Sequence, residues 1–282
     1  MDLIIKIIFL VVFFAVMIGI GIMTRKKANS VEGFVLGGRN AGPWLTAFGY
    51  GTSYFSAVVF IGYAGQFGWK YGVASTWIGI GNAVIGSLLA WIVLGRRTRV
   101  MTKHLNSKTM PDFFGKRFDS KALRIAAALI SFIFLIPYTS SVYNGLSRLF
   151  NMAFNIDYKI CIIVMAALTC IYVILGGYMA TVVNDLVQGI IMLFGITAVI
   201  ATVLNNNGGF IGALTTLSQA ESDLPVTAGM QGAFTSFFGP DPLNLLGVII
   251  LTSLGTWGLP QMVGKFYAIK DEKSVKAGTI IS

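Results

Sequence analysis

The residues best able to do chemistry in this chain are oxygen-bearing ones set in sequence that is otherwise apolar. The stretch AFGYGTSYFSAVVFIGYAG, residues 47–65, holds Gly49, Gly51, Thr52, Ser53, Tyr54, Phe55 and Ser56 in close succession. Each glycine weakens a helix by roughly 1 kcal/mol relative to alanine, and a weakened helix exposes backbone carbonyls. Unwound carbonyls with Ser and Thr hydroxyls are the ligands a hard cation such as sodium takes, and they bury no net charge. The competing reading is close helix packing, which small and hydroxyl residues also serve. A second interrupted stretch, LTSLGTWGLPQMVG at 251–264, favours a site over packing. It is broken by Gly255, Gly258 and Pro260, with Thr252, Ser253, Thr256 and Trp257 beside the break. Those hydroxyls could hold a polar group of a solute while Trp257 walls the pocket; packing explains them equally well. In GGYMATVVNDLVQG, residues 176–189, Asp185 could draw cations toward an inward cavity. On the residues alone the stronger reading is a helix-end carboxylate complementing the dipole, with Asn184 beside the cap.

Other chemistry finds no support. The chain has no H-E-x-x-H, no G-x-S-x-G, no Walker-type glycine loop and no Cys/His cluster, so an enzyme is not expected. Cys161 and Cys170 are too far apart along one helix to bond and read as packing residues. His104 reads as solvated, and Asp157 and Lys159 as interfacial anchors.

The elements that must position these groups are membrane helices. Of 282 residues, 55% are hydrophobic and 11% charged, against about 25% charged in a soluble domain. Apolar runs predict seven spans, near 3–24, 43–65, 72–95, 122–150, 158–180, 184–205 and 243–264. The net charge of +10 is concentrated between spans, in Arg25–Arg39, Arg96–Arg124 and Lys265–Lys276. That is the positive-inside pattern. It places loops 25–42, 96–121 and 265–276 in the cytoplasm and the N-terminus outside, and it accounts for the basic balance by contact with anionic lipid rather than nucleic acid. KTMPDFFGKRF at 108–118 predicts a short interfacial helix, and the 206–242 loop is long enough for a helix lying over the bundle.

Two interrupted spans of opposite direction, five spans apart, are the mark of an inverted-repeat transporter with a midplane binding site. The chain also resembles the solute:sodium symporter family in four ordered blocks: GFVLGGRNAGPWLTAFGYGTSYFSA at 33–57, TMPDFFGKRF at 109–118, GGYMATVVNDLVQ at 176–188 and GLPQMVGKFYAIKD at 258–271. The resemblance implies an all-α, polytopic, LeuT-like fold in a single transmembrane domain. Its parts would be an extra helix at 3–24, a first five-helix repeat at 43–205 and the start of a second at 243–282, apparently truncated.

The function implied is sodium-coupled symport of a small organic solute across the cell membrane by alternating access, with sodium as coupling ion. A related transmembrane sensory module is the alternative. Carried over by position, the sodium ligands are backbone carbonyls of Thr52 and Phe55, with Ser56 adjacent and Asp185 on the ion path. Ser53, Tyr54, Thr252, Thr256, Trp257 and Pro260 fall at solute positions. The chain departs from the family's proline carriers at Tyr54, where they have an aspartate, and at Thr252 and Thr256, where they have Trp and Tyr, so the solute stays open.

Overall fold

The computed structural model describes residues 2–55, 64–221 and 229–282. Its described residues form helices α1 (Asp2–Thr24), α2 (Val31–Leu36), α3 (Pro43–Tyr54), α4 (Gly65–Tyr71), α5 (Thr76–Gly81), α6 (Arg96–His104), α7 (Met110–Arg117), α8 (Lys121–Phe154), α9 (Tyr158–Asn206), α10 (Gly209–Gln219), α11 (Pro242–Leu254), α12 (Pro260–Ala268) and α13 (Glu272–Ile281). Between α5 and α6 the chain widens into π-helix at Asn82–Leu89 and again at Trp91–Gly95.

The starts of these helices follow from their first residues. Ser30, Thr109, Ser120, Asp157, Asp241 and Asp271 each accept a backbone N–H of the first turn, satisfying donors that have no helical partner. Pro43 and Pro260 open α3 and α12, where a missing N–H costs nothing. Pro260 therefore begins a helix rather than kinking one. Leu259 before it is extended (φ −72°, ψ 125°), as steric clash with a following proline ring demands.

Among the described residues, four helical stretches are long and apolar enough to cross a membrane: Ile4–Ala28, Gly65–His104, Lys121–Phe154 and Tyr158–Asn206. A fifth, Pro242–Gly258 with Pro260–Ala268, is bent by 50°. The 49 residues of α9 would extend about 73 Å if straight, more than twice the hydrocarbon thickness, so they contain both spans expected at 158–180 and 184–205. The break between them falls at Gly177, not at the expected 181–183 turn. Gly177 has φ 56° and ψ −147°, and a Cβ there would lie 2.8 Å from the Phe34 carbonyl oxygen. Glycine alone combines that conformation with that approach. Of the expected 43–65 span, residues 43–55 and 64–65 are described: α3 stops at Tyr54, and Gly65 already opens α4.

The two ends of the bundle segregate. At one end, Arg39 donates to the Ser107 carbonyl (2.7 Å) and the Tyr267 carbonyl (3.3 Å) and pairs with Glu32 (3.1 Å). Those bonds hold Arg39 in the left-handed region at φ 56°, an uncommon conformation for a non-glycine residue. Arg99 donates to the Lys270 carbonyl at 2.7 Å, and Lys270 N–H to the Ala41 carbonyl at 2.9 Å. The three basic segments thus meet on one face. At the other end, Trp77 Nε1 donates to the Phe237 carbonyl (2.9 Å), and Tyr71, Ala74 and Ile78 pack with Leu245. Segment 108–118, expected to hold a short helix, forms α7, and α10 is the helix expected in the 206–242 loop. Between the ends, α8 leaves Phe132 and Phe134 more than two-thirds exposed, the surface of a helix whose solvent is apolar.

Candidate functional site at two broken helices

Helix α3 stops in the middle of an apolar stretch. Phe55 is the C-cap, with φ −84° and ψ 57°, and its N–H closes the last turn on the Gly51 carbonyl at 2.8 Å. Thr52, Ser53 and Tyr54 occupy that last turn, where helical carbonyls lose their i+4 amide donors. Ser56 lies outside the described residues. The Thr52 and Ser53 hydroxyls donate back to the Phe48 carbonyl (2.8 Å) and the Gly49 carbonyl (2.7 Å). Such bonds hide a hydroxyl in its own helix, so in this conformation neither side chain reaches outward with its proton.

One side of α3 faces a neutral network. Tyr54 Oη donates to the Thr252 carbonyl at 2.9 Å, joining the two interrupted segments directly. The Thr252 and Ser253 hydroxyls donate to Asn82 Oδ1 at 2.9 and 3.0 Å. Tyr50 Oη reaches the Gly86 carbonyl (3.0 Å), and Trp257 Nε1 the Ile85 carbonyl (3.1 Å). These two carbonyls belong to the π-helix, whose wide turns misalign backbone acceptors and recur at functional sites. Thr256 donates to the Ser253 carbonyl at 3.0 Å. Below them Tyr50, Trp91 and Phe266 form an aromatic core with ring centroids 5.0–5.7 Å apart. Beside the second break, an apolar cavity of about 460 Å³ opens between Gly258–Pro260 and the α8 residues Ala127, Ile130 and Tyr138.

The other side of α3 faces α9 and carries charge. Asp185 is not at a helix end, and its side chain is mostly buried. It lies two turns beyond the Gly177 break, and its Oδ2 is 2.8 Å from Lys265 Nζ, with side-chain exposures of 17% and 5%. Gly49 makes room for the pair: a Cβ there would lie 3.1 Å from Lys265 Nζ and 3.3 Å from Asp185 Oδ2. One turn further along the same seam, Thr52 lies against Gly189 of α9.

The expected site residues are therefore divided. Tyr54, Thr252, Thr256 and Trp257 gather on the neutral face, with Pro260 at the adjoining break. Thr52 and Asp185 share the charged seam. Three contributors were missed. Asn82 is a lone amide in an apolar run, which is itself a signal inside a membrane span. Lys265 falls by charge pattern in the 265–276 loop, yet it is buried within α12 between Val263 and Phe266, and its apolar flanks are the signal. Gln261 follows the break, and its side-chain Nε2 and Oε1 are closed from solvent with no hydrogen-bond partner among the described residues. An unsatisfied buried amide is costly, which makes Gln261 a candidate contact for a bound polar group.

Known proteins give this geometry a context. The model of the sodium:solute symporter family matches residues 34–282. The osmoregulated proline transporter OpuE of Bacillus subtilis (strain 168) is 32% identical over 268 residues, which is 94% of this chain and 52% of that protein. A sodium/proline symporter of Staphylococcus aureus (strain JH9) is 32% identical over 273 residues, 94% of this chain and 50% of its own length. The chain spans about half the length of the curated relatives it matches. With the family model covering all but the first helix and the linker after it, the chain belongs to the sodium:solute symporter family.

Proposed function

We propose that this chain forms the ion- and solute-binding half of a secondary transporter that couples sodium to the uptake of a small organic solute. The observation that carries the reading is the meeting of two interrupted membrane segments: α3 ending at Tyr54, bonded through its hydroxyl to Thr252 beside the Gly255–Pro260 break. Interrupted helices at bilayer depth are tolerated where the freed backbone lines a ligand or a water-filled cavity. In a LeuT-like arrangement, 43–205 would be the first repeat and 243 onward the start of the second, with α1 outside both. The carbonyls of Thr52 and Phe55, with Ser56, would ligate sodium, and Asp185 would lie on its path to the cytoplasm. Ser53, Tyr54, Thr252, Thr256, Trp257 and Pro260 would surround the solute. Sodium and solute would stabilise the same conformation of the α3 end, which makes each raise the affinity for the other.

The orientation belongs to the same proposal: the face where Arg39, Arg99 and Lys270 meet is cytoplasmic, in the cell membrane. In intact cells a membrane-impermeant maleimide should label Gln219→Cys and spare Arg117→Cys; the opposite pattern inverts the topology. L-proline is the first solute to try, because both named relatives are proline transporters. Tyr54, Thr252 and Thr256 argue for trying other amino acids and monocarboxylates beside it. The test is uptake of radiolabelled solutes by cells expressing the full-length gene, with a sodium or a choline gradient. Uptake that requires sodium is expected; uptake indifferent to sodium for every transported solute would overturn the coupling.

A further inference from the structure

We infer that Lys265 is a tethered counter-ion which the transported cation must displace from Asp185. This rests on the sodium-coupled reading above and adds a residue that sets the apparent affinity for sodium. Lys265 Nζ is 2.8 Å from Asp185 Oδ2 and occupies the place beside that carboxylate which an arriving cation would take. Both side chains are largely buried, so a cation and the ammonium compete for one carboxylate in a medium of low dielectric, where such competition is strong.

The three groups involved sit on three different elements. Asp185 is on α9 beyond the Gly177 break, Lys265 on α12 beyond the Pro260 break, and Gly49 on α3 one turn before its end. The pair therefore ties together the cytoplasmic portions of the segments whose breaks form the site, and its separation frees them to part. A displaced Lys265 has somewhere to go. Its Nζ already lies 5.7 Å from the centroid of the Tyr178 ring, whose face attracts a cation. Gly49 keeps the exchange possible, since a Cβ there would touch both charged groups at 3.1–3.3 Å.

The experiment is equilibrium binding of radioactive sodium ion to the purified full chain in detergent, with no solute present. Parent, Lys265→Arg, Lys265→Met, Asp185→Asn and the double variant Asp185→Asn/Lys265→Met are compared, each checked for a monodisperse folded peak. Lys265→Met should bind sodium about tenfold more tightly than the parent, because the competing charge is gone. Lys265→Arg should stay near the parent. Asp185→Asn and the double variant should both bind several-fold more weakly, which shows that the gain runs through Asp185. Sodium affinity in Lys265→Met equal to or below the parent's overturns the inference. If Lys265→Met does not fold, Lys265→Gln carries the same expectation. If neither folds, the neutral double variant decides: parent-like sodium binding in it overturns the inference. A parent that binds no sodium contradicts the sodium-coupled reading itself, a different result from a parent that binds sodium indifferently to Lys265.

Discussion

The two faces of α3 solve the problem of polarity in a membrane differently. Toward α9 the chain buries a full ion pair, Lys265 and Asp185, under a glycine that leaves them just enough space. Toward the π-helix and α11, among the described residues, it joins neutral hydroxyls to carbonyls and to Asn82 instead. Neutral hydrogen bonds have modest net energies and can be exchanged one at a time. A buried ion pair is nearly all-or-none, since removing one partner strands the other charge. The neutral face is thus suited to being rearranged by a solute, and the charged face to answering an ion. One short helix carries both, so each event is felt by the other.

The largest expected effect tests the charged face. Asp185→Asn leaves the Lys265 ammonium buried without its partner and should lower unfolding stability in detergent by about 3–5 kcal/mol, and removing both charges should recover most of that loss. A double variant no better than the single would mean that the pair does not act as a unit. On the neutral face, Asn82→Ala strands the buried Ser253 hydroxyl, while Thr252 keeps the Val248 carbonyl at 2.9 Å; the loss should be about 1–3 kcal/mol, and Tyr54→Phe removes one hydrogen bond for about 1 kcal/mol. If Tyr54→Phe destabilised as much as Asp185→Asn, the contrast between the faces would disappear.

The smallest effect lies outside both faces, in the short helix α7. Burial alone would raise the Asp112 carboxyl. The Lys108 N–H at 3.0 Å and the Lys116 ammonium at 3.1 Å outweigh it and hold the group below the usual carboxylate range. A carboxyl depressed in the folded state stabilises fully above its unfolded value, and that stability is lost as pH falls through the folded one. Acid unfolding of the parent should therefore steepen below about pH 4, and Asp112→Asn should flatten that limb while leaving the seams of α3 untouched.

Much of this arrangement was legible in the sequence because it depends on local chemistry. Gly51 with Thr52–Tyr54, and Gly255 with Pro260, marked both breaks, since helix weakness is a property of the segment itself. The positive loops anticipated which segments share a face, and Arg39 and Arg99 tie those segments together. What could not be read was pairing across distance. Asp185 and Lys265 are eighty positions apart, and nothing in either neighbourhood names the other. The break at Gly177 differs from the expected 181–183 turn because a single glycine at positive φ can break a helix without a polar loop to advertise it. The role of Gly49 was half read: it weakens α3 as expected, and its missing Cβ also houses the ion pair.

The division of labour between the faces is tested most directly by one measurement: sodium binding to the purified full chain in the absence of solute, comparing Asp185→Asn with Asn82→Ala. Asp185→Asn should weaken sodium binding several-fold, and Asn82→Ala, which alters only the neutral face, should leave it at the parental value. Equal loss in both variants, or loss in Asn82→Ala alone, would contradict the account.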